Sequence, residues 1–145
     1  TANLPARVAN NNWLATLAKT DFFVCCPGVI EPFCHNQTES MAVGCVPIIE
    51  FPSLYDPPLR HLENCVAFSG SEDLLQKVEM VFNFSDETIV QLRRNVVAYY
   101  EANLSAAATC RRVEEAPDPR PNLLLHTDYC LEGIQRVRPD LFVSV

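Results

Sequence analysis

The 145-residue sequence holds no uninterrupted apolar run near the roughly 20 residues that a membrane-spanning helix needs, so no spanning segment is expected. It holds no cluster of Lys and Arg either. Eleven basic residues stand against eighteen acidic ones, a formal charge of −7. Nucleic-acid binding is driven by clustered cations that displace counterions from phosphates, so no nucleic-acid partner is expected. The seven cysteines, at positions 25, 26, 34, 45, 65, 110 and 130, contain no C-x-x-C pair, which sets aside the common zinc and dithiol motifs. A zinc site from Cys26, Cys34, His35 and Cys45 fits no ligand spacing, and no metal is expected. There is no internal repeat. The first residues, Thr1-Ala2-Asn3, show no basic-then-apolar leader, although a processed or trimmed start reads the same.

What is present is an ordinary globular composition, 48% hydrophobic and 20% charged, on a chain long enough for one core. Most cysteines lie in apolar runs such as Phe22-Phe23-Val24-Cys25-Cys26 and Cys65-Val66-Ala67-Phe68. There a free thiol acts as a small core hydrophobe, which predicts reduced cysteines and a cytoplasmic setting. N-x-S/T triplets at Asn36, Asn83 and Asn103 point the other way, to the secretory lumen.

The spacing of apolar residues predicts a short helix over 12–20, with Trp13, Leu14 and Leu17 at helical intervals, leading into a buried strand at 22–26. A helix over 37–43 follows, with Asn36 as its cap and Gly44 as its stop, and then a strand at 45–49. Strand, loop, helix and strand make a βαβ unit. A Pro-rich loop leads to a third strand at 65–68. Ser71-Glu72-Asp73 opens a helix over 71–83, with Leu74, Leu75, Val78, Val81 and Phe82 expected on one face. Ser85-Asp86-Glu87 opens another over 86–104, with Ile89, Leu92, Val96, Tyr99 and Leu104 repeating at three and four. Tyr99-Tyr100 is read as packing. The stretch from Glu114 to Pro121 reads as a linker.

The segment from Pro27 to Ile49 sits where the first strand's carboxyl end runs into a helix, the edge at which open parallel sheets bind ligands. Backbone N–H groups at such a helix start suit an anion, with the Thr38 and Ser40 hydroxyls within reach. Arg60 and His61, beyond the proline turn on the same edge, are read as a solvated pair, the alternative being that they face phosphate.

Glu31 and Glu39 stand eight positions apart, followed by Ser40-Met41-Ala42 and then Gly44-Cys45-Val46-Pro47. This segment resembles the donor-binding signature of GT-B glycosyltransferases of the family 4 (group 1) kind, and its Gly-Cys-Val-Pro strand entry resembles exostosin-like transferases. The likeness runs over residues 12–105. It departs from the pattern at Pro32-Phe33-Cys34-His35-Asn36, where a glycine-rich stretch is usual, and Gln37 and Thr38 provide no Arg before the helix glutamate.

The resemblance implies an α/β fold, a Rossmann-like parallel sheet flanked by helices, as in the C-terminal half of a GT-B enzyme. It implies Glu39 on the donor ribose hydroxyls and Glu31 facing the transferred sugar as the catalytic carboxylate. Gly28, His35, Asn36, Thr38 and Ser40 complete the expected donor site. The function implied is glycosyl transfer from a nucleotide diphosphate-sugar to an acceptor, with retention and without a further cofactor. The alternative is a non-catalytic nucleotide- or sugar-binding module serving as a regulatory or assembly subunit. Such enzymes carry an Arg and a Lys far upstream on early strands, and only 30 residues precede Glu31. The expectation is therefore a partial donor domain over 1–112, a linker over 113–122 and a tail over 123–145 with a strand and a short helix. A missing N-terminal domain or another chain would complete it.

Overall fold

A computed structural model describes residues 8–26 and 34–117 of the chain. Expectations that fall on Pro27, Gly28, Glu31 and the tail lie outside the described residues. Phe22–Val24 (β1), Val46–Ile49 (β2) and Val66–Ala67 (β3) form a parallel three-stranded sheet in the order β1-β2-β3. Phe22 pairs with Val46, and Ile48 pairs with both Val24 and Val66. Cys25 N–H to Ile48 O at 2.9 Å and Phe68 N–H to Ile49 O at 3.0 Å extend the ladder at its carboxyl end. The fold is α/β, and the parallel pairing expected of the first three strands is present. The strands are shorter than expected. β1 ends at Val24; Cys25 N–H still reaches Ile48 O, and the chain turns at Cys26, whose N–H points back to Val24 O at 3.2 Å.

Between β1 and β2 runs α2 (His35–Ala42), which starts two residues earlier than its apolar spacing predicts. Cys34 is its cap residue, in extended conformation and without a capping side chain, so Asn36 lies inside the first turn instead of capping it. Gly44 ends it as expected, at φ +72°. Gly44 N–H donates to Met41 O at 3.1 Å and Cys45 N–H to Ser40 O at 2.9 Å. These are the paired closing bonds that satisfy a helix's last carbonyls when the residue after the cap turns left-handed.

α4 (Asp86–Asn103) packs on α2 and on β2. Its cap is as expected, Ser85 Oγ accepting from Thr88 N–H, and Leu92, Val96 and Tyr99 are buried at intervals of four and three. β2 is buried along its whole length, whereas β1 is half-buried at each residue. The core centres on Met41, Val46, Ile48, Val66 and Val96 with the thiols of Cys25 and Cys65.

Two helices differ from expectation. α3 (Gly70–Val81) follows Ser69, not Ser71, and Asp73 Oδ2 accepts from the Ser69 N–H at 2.9 Å to close its first turn. Leu74, Val78 and Val81 turn to the core, but Leu75 and Phe82 are 67% and 83% exposed. The five positions span an arc of about 120°, and Leu75 and Phe82 lie at its far edge, so only the part of the face centred on 74, 78 and 81 meets the core. α1 is only Trp13–Leu17, entered by a 3-10 turn at Asn10–Asn12. Lys19 N–H to Thr16 O and Thr20 N–H to Leu17 O tighten the chain out of α-geometry before residue 20, and Leu14 faces outward.

A fifth helix, α5 (Ala106–Glu114), lies outside the expected elements and passes the expected start of the linker at 113. The described residues fall into two units divided between Thr109 and Cys110. Among the described residues no helix is long and apolar enough to cross a membrane.

Candidate functional site

The βαβ connection places α2 between the carboxyl end of β1 and the start of β2, and Glu39 just past its first turn. α1 lies against α2. Through that contact the indole N–H of Trp13 donates to Glu39 Oε2 at 2.6 Å, a short charge-assisted bond. The Trp13 ring also meets Phe23 of β1 edge-on, with centroids 5.6 Å apart. Trp13 is thus fixed on two sides, by a strand and by a carboxylate.

Trp13, His35, Asn36 and Glu39 line a cleft of about 400 Å³. Its walls are mostly polar. Asn36 Oδ1 is buried and finds no hydrogen-bond partner among the described residues. A buried carbonyl oxygen left unpaired costs about 1–3 kcal/mol, and with almost no accessible surface this one is closed to a ligand. Glu39 Oε1 is bonded by no described residue, while Oε2 is taken by Trp13. The cleft therefore offers the Glu39 carboxylate as acceptor, together with the side chain of His35, which is exposed.

The other expected donor residues are distributed differently. Ser40 is fully buried, and its hydroxyl donates to Gln37 O at 2.7 Å, so it serves the helix and the core. Thr38 is half-buried and does not line the cleft. Gly28 and Glu31 lie outside the described residues. Arg60 is exposed and contacts Glu63 at 3.5 Å. His61 Nδ1 accepts the Ala67 N–H at 3.0 Å, which ties it to β3; burial, then the Lys77 charge, push its pKa below the ordinary value.

Apolar spacing places Trp13 on a helix and does not reveal its bond to Glu39. The signal available was general: an indole N–H is a donor that seeks a partner when its ring is packed. Gln37, the first residue of the expected helix, also makes a long-range bond. It is 2% exposed, and Tyr55 O–H donates to its Oε1 at 2.9 Å. Two clefts of about 500 Å³ lie elsewhere, one beside Phe22, Phe82 and Phe84, the other beside Val90 and Val97. Their walls are mainly apolar and bring no comparable set of polar atoms together. Among the described residues no three His, Cys, Asp or Glu side chains are grouped to hold a metal.

Compared with protein-family models, curated proteins and solved structures, the chain gives no significant match to any of them.

Proposed function

We propose that this chain is the nucleotide-sugar-binding part of a GT-B glycosyltransferase and that the Trp13–Glu39 cleft receives the donor ribose. The observation that carries the reading is the position of Glu39. It follows a parallel strand by one loop and one helical turn, beside a cleft, with one carboxylate oxygen held by Trp13 and the other unbonded by any described residue. A carboxylate suits a vicinal diol because its oxygens accept from hydroxyl groups and offer no proton of their own. The start of α2, which has no capping side chain, suits the diphosphate.

On this reading the sheet is the carboxyl half of a larger Rossmann-like domain. Glu31 faces the transferred sugar, Gly28 and the first turn of α2 face the diphosphate, and His35 borders the sugar–phosphate junction. Catalysis is then positioning plus stabilisation of an oxocarbenium-like transition state and of the departing diphosphate, with retention at the anomeric carbon. The upstream basic residues that neutralise the leaving group come from a further domain or another chain. Burial of Cys25, Cys45 and Cys65 as core residues supports reduced thiols and a cytoplasmic setting.

Isothermal titration of the 145-residue chain against ADP, GDP, UDP and CDP tests the reading without the acceptor. Saturable binding of at least one, weakened in Glu39→Gln, is expected. Absence of binding to all four would overturn it.

A further inference from the structure

We propose that the outer face of α4 is a self-association surface, on which a second copy of this chain docks its own α4 in antiparallel orientation. Leu92, Val96 and Tyr99 turn one side of this helix to the core, yet Val90 and Val97 on the opposite side are 44% and 39% exposed. Single exposed apolar residues are ordinary, but these two stand seven positions apart, close to two helical turns, and share a face. With Ala98 on the same helix, and with Val43 and Gly44 at the end of α2, they line a mainly apolar cleft of about 500 Å³. It shares no lining residue with the Trp13–Glu39 cleft.

The charges on this face indicate what covers it. Arg94 and Glu101 are exposed and lie on the same stripe, since 90, 94, 97 and 101 follow one another at intervals of four, three and four. Among the described residues neither the Arg94 guanidinium nor the Glu101 carboxylate has an ion-pair or hydrogen-bond partner. Their helix neighbours offer none. Three and four positions from Arg94 stand Val90, Gln91, Val97 and Ala98, and from Glu101 stand Val97, Ala98, Leu104 and Ser105, all uncharged. The midpoint between positions 94 and 101 falls between Val97 and Ala98. A two-fold axis there, relating antiparallel helices, sets Arg94 of each copy opposite Glu101 of the other and brings the two Val97-Ala98 pairs together in the middle. Such self-complementarity, in which one residue meets a second and the second meets the first, is what a two-fold dimer requires. Arg93, the other cation bordering the cleft, is already held by Asp21. A partner of different sequence would need no such internal symmetry, so a second copy is the occupant this pattern fits.

Sedimentation equilibrium of the 145-residue chain over a range of concentrations, alongside Arg94→Glu, Glu101→Arg and the double variant, tests the proposal. The unmodified chain should form a reversible dimer that salt weakens. Each single substitution sets like charges against each other at both ends of the contact and should weaken association by roughly tenfold or more. The double variant restores opposite charges with their signs exchanged and should recover most of the affinity. An equimolar mixture of the two single variants should associate as well, because every facing pair in the mixed dimer is then of opposite sign. Should a charge reversal prevent folding, Arg94→Gln decides: it removes one charge from each facing pair, and undiminished dimerisation overturns the proposal. A chain that stays monomeric at every concentration would overturn it too, leaving the stripe to a segment of different sequence. So would single reversals that dimerise as the unmodified chain does, or a double variant no better than the single ones.

Discussion

Arg93 on α4 reaches Asp21 at the entry to β1, its guanidinium donating to Asp21 Oδ1 at 2.7 Å. The same group donates to Thr20 O at 2.8 Å and Ala18 O at 3.1 Å. Three acceptors on the chain between α1 and β1 are thereby gathered by a single side chain from a helix 72 residues away in sequence. Since α1 is only five residues long, it has little stability of its own, and this clamp helps hold Trp13 over Glu39.

Replacing Arg93 by Ala is expected to cost about 1–2 kcal/mol in urea unfolding, the scale for hydrogen bonds to a charged donor, with the exposed ion pair itself contributing little. Trp13 emission should move to longer wavelength as α1 loosens. Arg93→Lys should recover only part of both effects, because an ammonium lacks the planar fork that spans three acceptors. Unchanged emission in Arg93→Ala would separate α1 from the clamp.

Gly44 meets two demands at once. Its φ of +72° is costly for any side chain, and a Cβ there would stand 3.0 Å from Val97 Cγ2 on α4. Gly44→Ala should lower stability by about 1–2 kcal/mol from the backbone alone, with the crowding added. Pairing it with Val97→Ala should recover the crowding and not the backbone term. A double variant no more stable than Gly44→Ala would show that α4 yields to the new methyl without strain.

These two relationships mark what was legible in the sequence. β2 was, because the apolar run from Cys45 sits between a glycine and Glu50 and needs no distant partner to be recognised. So was α4, whose buried Leu92, Val96 and Tyr99 repeat at helical intervals. The start of α2 was not, since Cys34 caps it with no side-chain bond and so leaves no residue-type signal. The bonds of Trp13 to Glu39 and of Tyr55 to Gln37 span 26 and 18 residues and join helices or loops whose facing is set by tertiary packing. Local patterning identifies each group as a donor or acceptor and is silent on which one it meets. Glu39 stood out on its spacing from Glu31, while the acceptor geometry around it emerged only once α1 was placed.

Thiol reactivity should divide by burial. Cys26 and Cys110 are exposed, whereas Cys25, Cys45 and Cys65 are buried. Burial pushes the Cys25 and Cys65 thiols up to about 12 and raises Cys45 as well, so these three hold almost no thiolate near neutrality. Alkylation of the native chain followed by peptide mapping should label Cys26 and Cys110 first. The three buried thiols should react only at the rate of unfolding. Rapid labelling of Cys65 would contradict its place in the core.

His61 should make the acid side of the stability profile steeper. Its folded pKa lies below the ordinary 6.5, through burial first and Lys77 second, with Asp73 opposing. The unfolded chain therefore binds the proton more readily than the folded one, and stability rises with pH across that interval. The contribution of neutral His61 is complete above about 6.5 and declines as pH falls below it toward the lowered folded value. His61→Asn keeps an acceptor for the Ala67 N–H and removes the titration. Its melting temperature should fall less than that of the unmodified chain between pH 6.5 and pH 5. Parallel profiles would remove His61 from the acid response.

Glu39→Gln separates ligand binding from folding. The amide oxygen of Gln can still accept from the Trp13 indole, so the α1–α2 contact survives and unfolding free energy should change by less than about 0.5 kcal/mol. What is lost is the negative charge and, on the other atom, an acceptor: the amide nitrogen presents a donor to the cleft in place of an oxygen. Opposed to a hydroxyl pair, that donor leaves one hydroxyl without an acceptor. Affinity for a nucleoside diphosphate should therefore fall by about 1–3 kcal/mol, the range for a charge-assisted hydrogen bond. Titration calorimetry and urea unfolding of the same preparation read both quantities. Equal affinity in the two chains would return Glu39 to a structural partner of Trp13 alone, and a large loss of stability would place the carboxylate's role in the fold.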